Sequence, residues 1–194
     1  MSPADEPTDA DLARAAAAGD ERAYARLVAR HKDGLLRLIG RYLGRPDEAQ
    51  EAAHEAFIAA WSALPRYDTA RPFGPWLRTI AINKARDRGR RLAFRRLLFG
   101  DRPPEDTAAR HHPDPAATPD EAISDLERLR LLERAIAQLP DALKAPLVLT
   151  ALEGCSQQEA GDILGLTPKA VETRVYRARR VLAETLGTTL RADP

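Results

Sequence analysis

Residues 154–182, GCSQQEAGDILGLTPKAVETRVYRARRVL, carry the signals of two short helices joined by a tight turn. Ser156 followed three residues later by Glu159 forms a capping box, so the spacing predicts a helix that starts at Gln157. Gly165 suits the left-handed residue that ends such a helix, and Thr167-Pro168 supplies an N-cap and a pre-set first residue for the next. In that second helix Val171, Val175, Ala178 and Leu182 recur at helical spacing as a buried stripe. Lys169, Thr173, Tyr176, Arg177 and Arg180 then share the opposite face. This is a helix-turn-helix pattern, and such a face suits the DNA major groove, where side chains reach base edges and phosphates together.

Working outward, the 194 residues can hold one domain or two small ones, and 44% hydrophobic residues suffice for compact cores. No apolar run approaches membrane-spanning length, and MSPADEPTDADLARAAAAGD lacks the charged-then-apolar order of a secretory leader, so a cytoplasmic protein without membrane insertion is expected. The single cysteine, Cys155, excludes an internal disulfide and reads as a small packing residue. The net charge of +1 conceals strong blocks. Residues 1–70 sum to −3, 71–102 to +8, 103–166 to −7 and 167–194 to +3. Two basic blocks separated by acidic stretches suggest two contacts with a polyanion. The acidic block can also lie across the basic one and oppose unproductive binding.

Outside residues 99–120 the pattern is helical nearly throughout, so the chain is expected to be all-α. Asp9 to Ala18 reads as a short helix, and Asp20 begins a longer one burying Tyr24, Leu27, Val28, Leu35, Leu38 and Ile39, broken by Gly40 to Pro46. A third helix from Pro46 to about Leu64 packs through Ala49, Ala52, Ala53, Ala56, Phe57 and Ala60, and Pro65 ends it. A fourth runs from about Pro75 through Trp76, Leu77 and Ile80 toward Arg91. FGDRPPEDTAARHHPDPAATPDE, rich in Pro and Asp, reads as a flexible linker. Helices resume near Ser124 with Leu126, Leu129, Leu132, Ile136 and Leu139, restart after Pro140, and meet a disturbance at Pro146. Two small helical domains, 1–98 and 124–194, joined by a linker at 99–123, are therefore expected.

On the fourth helix Arg78, Lys84, Arg86, Arg88, Arg90, Arg91, Arg95 and Arg96 face only Asp87, a density that suits phosphates. Tyr67, Phe73 and Trp76 stand at its start; rings beside cations suit unstacked bases, with Trp76 itself read as core and the loop before it as the base-holding element. On the third helix Glu48, Glu51, Glu55 and Ile58 share a stripe that is either a solvated face or a dock for a basic helical partner. No glycine loop for nucleotides, zinc-ligand spacing or nucleophile with a base appears, so neither a catalytic residue nor a cofactor is expected. His111, His112 and Asp114 read as solvated linker residues rather than metal ligands.

Four segments in one order resemble the extracytoplasmic-function sigma factors of bacterial RNA polymerase. DLARAAAAGDERAYARLVARH, DEAQEAAHEAFIAAW and RYDTARPFGPWLRTIAINKARDRGRR look like the family's region 2. LERAIAQLPDALKAPLVLTALEGCSQQEAGDILGLTPKAVETRVYRARRVL looks like region 4. The resemblance implies that Glu48, Glu51, His54, Glu55 and Phe57 contact the β′ clamp helices of the core polymerase, with the β flap as a further partner surface. It implies that Tyr67, Phe73, Asn83, Lys84, Arg86 and Arg88 recognise and open the −10 element of promoter DNA. Thr173, Tyr176 and Arg177 would read the −35 element, with Glu172 beside them and Lys169 and Arg180 on phosphates. An anti-sigma factor is the implied regulatory partner. The chain departs from the usual pattern in carrying Glu51 for Asp, His54 for Gln, the acid Glu172 in the recognition helix, and Pro146. The rival class is a helix-turn-helix regulator that binds promoter DNA without being a polymerase subunit.

Overall fold

The computed structural model describes residues 6–99 and 119–192. Eight α-helices run through the described residues: α1 Asp9–Ala17, α2 Glu21–Leu43, α3 Pro46–Ala63, α4 Phe73–Phe99, α5 Pro119–Gln138, α6 Asp141–Leu147, α7 Gln157–Leu164 and α8 Pro168–Ala192. A 3-10 turn at Leu64–Arg66 follows α3, and a π-helical turn at Val148–Leu152 follows α6. The all-α expectation holds, with no strand among the described residues. His111, His112 and Asp114 lie outside the described residues, as do the side chains of Arg96 and Leu126.

Local chemistry sets the boundaries. Asp20 caps α2 by accepting from the backbone N–H groups of Arg22 and Ala23 at 2.9 and 3.1 Å. The helix passes through Gly40 and ends at Gly44, whose φ of 64° supplies the left-handed cap, four residues beyond the break expected at Gly40. Pro46 opens α3 at a position where its missing N–H costs nothing. The α3 face of Ala49, Ala52, Ala53, Ala56, Phe57 and Ala60 is buried as expected. Small side chains there let α2 and α3 approach until a methyl built at Gly40 would meet Ala49 Cβ at 3.9 Å.

Helix α4 is longer than its sequence suggests, from Phe73 to Phe99, and α5 begins at Pro119 instead of near Ser124. Pro119 is a favourable first helical residue. Residues 119–123 of the expected linker are thus helical. Pro146 sits inside α6, where it removes the bond to the Ala142 carbonyl. The ladder then widens, and Glu153 N–H donates to Val148 O across five residues at 3.0 Å.

The two halves share one apolar core. Leu35, Leu38, Ile39 and Tyr42 of α2 join the same buried cluster as Ile136, Leu139, Val148 and Leu149. Polar contacts line the seam: Arg41 Nη1 donates to Leu152 O and to Glu153 Oε1, each at 2.6 Å. Lys144 Nζ lies 5.0 Å from the Tyr42 ring centroid, in cation–π range. Arg78 Nη1 donates to Cys155 Sγ at 3.5 Å, and Cys155 is buried, in keeping with a packing role.

Candidate nucleic-acid interface

The helix-turn-helix is built as its sequence suggests. Ser156 Oγ accepts from Glu159 N–H at 3.2 Å, and the Glu159 carboxylate accepts from Ser156 N–H at 2.8 Å. The Ser156 N–H and the Ser156 hydroxyl, which also donates to Glu159 Oε2 at 2.8 Å, hold the Glu159 carboxyl below its ordinary range. Gly165, at φ 67°, ends α7. Val171, Ala178 and Leu182 of α8 are buried, and Val175 is partly so. Lys169, Glu172, Thr173, Tyr176, Arg177 and Arg180 are all exposed on the other side, Tyr176 to 65%. Lys169 Nζ pairs with Glu172 Oε2 at 2.7 Å, and Thr173 Oγ1 donates back to Lys169 O at 2.9 Å. Arg180 pairs with Glu184 at 3.3 Å. Exposed pairs of this kind stabilise a helix by only about 0–1 kcal/mol.

The second basic surface differs from its sequence reading in four residues. Phe73 and Tyr67 are buried, at 3% and 9% exposure, so neither ring presents a face to a base. With Trp76 they form an aromatic cluster: Tyr67 to Trp76 at 4.6 Å, Phe73 to Trp76 at 5.4 Å, and Phe73 edge-on to Tyr67 at 5.8 Å. The Tyr67 hydroxyl donates to Arg71 O, closing the loop on itself. The rings serve as the floor of the loop. Arg88 points away from solvent and is bound by Glu48 and, at 3.1 Å, by Glu55. Arg86 Nε lies 2.9 Å from Asp141 Oδ2 at the seam, an ion pair by distance whose angle is too bent for a hydrogen bond. Burial and nearby Arg90 lower the Arg86 pKa. Asn83 is exposed and Lys84 half-buried, and Lys84 lines a shallow cleft with Glu55, Asp87, Arg90 and Arg91.

The acidic stripe of α3 is split. Glu48 and Glu55 turn inward to Arg88, and Glu55 also accepts from Arg91 at 3.2 Å, whereas Glu51, His54 and Ile58 remain exposed. Phe57 faces the core, correcting its expected place on a partner surface. The outward face is therefore Glu51, His54 and Ile58, spaced i, i+3, i+7, with Ile58 54% exposed.

Residues 27–95 match the sigma-70 region 2 model and residues 129–182 match the sigma-70 region 4 model. The chain is 38% identical to the RNA polymerase sigma factor CnrH of Cupriavidus metallidurans, over 93% of this chain and 96% of that one. It is 32% identical to the ECF RNA polymerase sigma factor SigW of Bacillus subtilis, over 87% and 91% of the two chains. The solved complex of CnrH with the cytosolic domain of CnrY superposes with a TM-score of 0.65 at 33% identity, covering 96% of this chain and 99% of that one. The chain belongs to the extracytoplasmic-function sigma factors. It is a DNA-binding subunit that associates with core RNA polymerase and directs promoter-specific initiation of transcription, rather than a regulator acting outside the polymerase.

Two residues that shape this sigma factor escape a sequence reading. Gly161 sits in α7 where a Cβ would meet the Leu166 backbone oxygen at 2.6 Å, so only glycine lets the turn fold back onto the helix. A lone glycine mid-helix, at a cost of about 1 kcal/mol relative to alanine, is its one sequence signal. Arg41 on the exposed side of α2 reads as an ordinary surface cation, and nothing local announces that Glu153, 112 residues on, meets it.

Proposed function

We propose that this sigma factor reads two promoter elements with two separate helical surfaces and is held inactive by a protein anti-sigma factor. The observation that carries this reading is the α8 face, where six polar or charged side chains stand exposed on a helix whose opposite face is packed. Thr173, Tyr176 and Arg177 contact base edges of the −35 element, Lys169 and Arg180 contact phosphates, and Glu172 accepts from a cytosine amine. On α4, Asn83 and Lys84 contact the −10 element directly. Arg86 joins them when α6 moves away, and Tyr67, Phe73 and Arg88 shape the surface from beneath. Glu51, His54 and Ile58 form the direct contact with the β′ clamp helices, with Glu48, Glu55 and Phe57 supporting that helix, while the region 4 half docks on the β flap.

The N-terminal unit extends to Phe99 and the C-terminal unit starts at Pro119, each a domain that the polymerase holds apart. The protein has no catalytic role of its own and works in the cytoplasm beside the polymerase. Control by an anti-sigma factor is supported by CnrH, a relative of nearly equal length solved in complex with the cytosolic domain of CnrY. The test is transcription in vitro with purified core polymerase across a promoter library. Transcripts should arise from promoters sharing two spaced elements, and none without the sigma factor. Sequence-specific DNA binding without any polymerase-dependent transcript would contradict the proposal.

A further inference from the structure

The N-terminal helix α1 precedes residues 27–95, the part matched by the region 2 model, yet it packs against the turn at Leu64–Arg66 and against α4. Asp9, its first residue, accepts from His31 Nε2 at 2.6 Å and from Arg30 Nη1 at 3.1 Å. The His31 ring stands 5.2 Å from Phe73, tilted by 53°, and its Cε1 would lie 3.7 Å from a methyl built at Gly74. Phe73 in turn supports Tyr67 and Trp76. The side chains of Asp9 and His31 are 32% and 24% exposed, partly shielded from water, and the bond between them is short and charge-assisted. A ring resting on Phe73 by stacking alone can tilt and slide; the carboxylate fixes its azimuth. The capping box of Thr8 and Asp11 fixes the start of α1, and with it Asp9.

We propose that Asp9 and His31 are positioning residues for promoter opening: the Asp9–His31 bond holds the imidazole against Phe73 and so sets the loop Tyr67–Gly74 in the geometry that receives the −10 element. The inference rests on the reading of this loop and α4 as the −10 surface. Neither residue touches DNA; each acts through the aromatic floor of the loop.

The test uses the full-length chain with core polymerase and a promoter carrying 2-aminopurine in the non-template strand of the −10 element, whose fluorescence rises as the base unstacks. Asp9→Asn keeps the size of the side chain and removes its charge. His31→Phe keeps a ring on Phe73 and removes the bond. Each variant should slow opening about tenfold at saturating core polymerase, since small misplacements of a reacting partner are costly. The double variant should be no slower than His31→Phe alone, because without the imidazole Asp9→Asn has no bond left to weaken. Holoenzyme assembly by size exclusion and binding to a duplex bearing only the −35 element should not change. Opening at the unmodified rate, or effects that multiply in the double variant, would overturn the inference. Asn83→Ala and Lys84→Ala separate the two layers. If these slow opening while Asp9→Asn and His31→Phe do not, the inference alone fails; if none of the four matters, the −10 reading fails and takes the inference with it.

Discussion

The Arg88 guanidinium donates to Glu55 Oε1 at 3.1 Å, so a cation of α4, the helix proposed to face the promoter, is held by α3, the helix proposed to face the polymerase. Its Nε also bonds Glu48, placing one guanidinium between two carboxylates two turns apart on α3. Arg88 is therefore a strut between the two functional helices before it is anything toward DNA.

Arg88→Ala should lower stability by about 1–3 kcal/mol, the usual loss for charge-assisted bonds in a half-buried site, because Glu48 loses this partner and Glu55 keeps only Arg91. Denaturant unfolding checks this. An unchanged midpoint together with weakened promoter binding would return Arg88 to the DNA-facing set.

Gly161→Ala should cost about 2 kcal/mol or more, since the new methyl lies 2.6 Å from a backbone oxygen that cannot rotate away. Gly165→Ala should cost about 1 kcal/mol, through its positive φ, with open space around it. The order of the two melting temperatures is the check; a milder effect at Gly161 would contradict the packing seen in the turn.

Asp141 and Glu153, both from the acidic stretch 103–166, meet Arg86 at 2.9 Å and Arg41 at 2.6 Å across the seam. The double variant Arg41→Ala, Asp141→Ala should loosen the two halves and raise affinity for duplex promoter DNA in the absence of polymerase. Small-angle scattering should give a larger radius of gyration than the parent chain. An unchanged radius and unchanged affinity would mean that the apolar seam alone closes the molecule.

Acid should loosen the helix-turn-helix through its cap. The Glu159 pKa is depressed below the ordinary value of 4.5 by bonds from the Ser156 backbone and side chain. A carboxylate depressed in the folded state adds stability above its unfolded pKa, and that contribution is lost as pH falls through the folded value. Thermal melts from neutral pH downward should therefore converge for the parent and Glu159→Gln below pH 4.5, with the parent more stable above it. A constant gap at all pH values would remove the cap from the acid response.

What the residues disclose on their own follows from the range of the interactions. Ser156, Glu159, Gly165 and Pro168 act on backbone groups within a turn, so the helix-turn-helix is legible to the residue, as is the alanine face of α3 that repeats with the helix. The sequence shows that Arg86 and Arg88 are cations, but their partners lie 55 and 33 to 40 residues away, and only tertiary packing brings Asp141, Glu48 and Glu55 to them. Tyr67 and Phe73 look like base-stacking rings because aromatic residues beside arginines carry that chemistry. Three neighbouring rings bury more apolar area against one another than a single solvent-facing ring gains, and the cluster turns inward. The late start expected for α5 reflects a Pro-Asp composition that suits a linker and a helix N-terminus equally well.

Transcription by the reconstituted holoenzyme on promoters randomised across the −35 element, comparing the parent chain with Arg177→Ala, decides whether the α8 face reads that element. Arg177 is exposed on α8 one position after Tyr176, away from the buried Val171, Ala178 and Leu182 stripe. Arg177→Ala should lose about 1–3 kcal/mol of discrimination at one base pair of that element, with preference at the −10 element and holoenzyme assembly unchanged. A folded Arg177→Ala protein that keeps the parent's preference at every position of the −35 element would contradict the assignment of the α8 face as its reader.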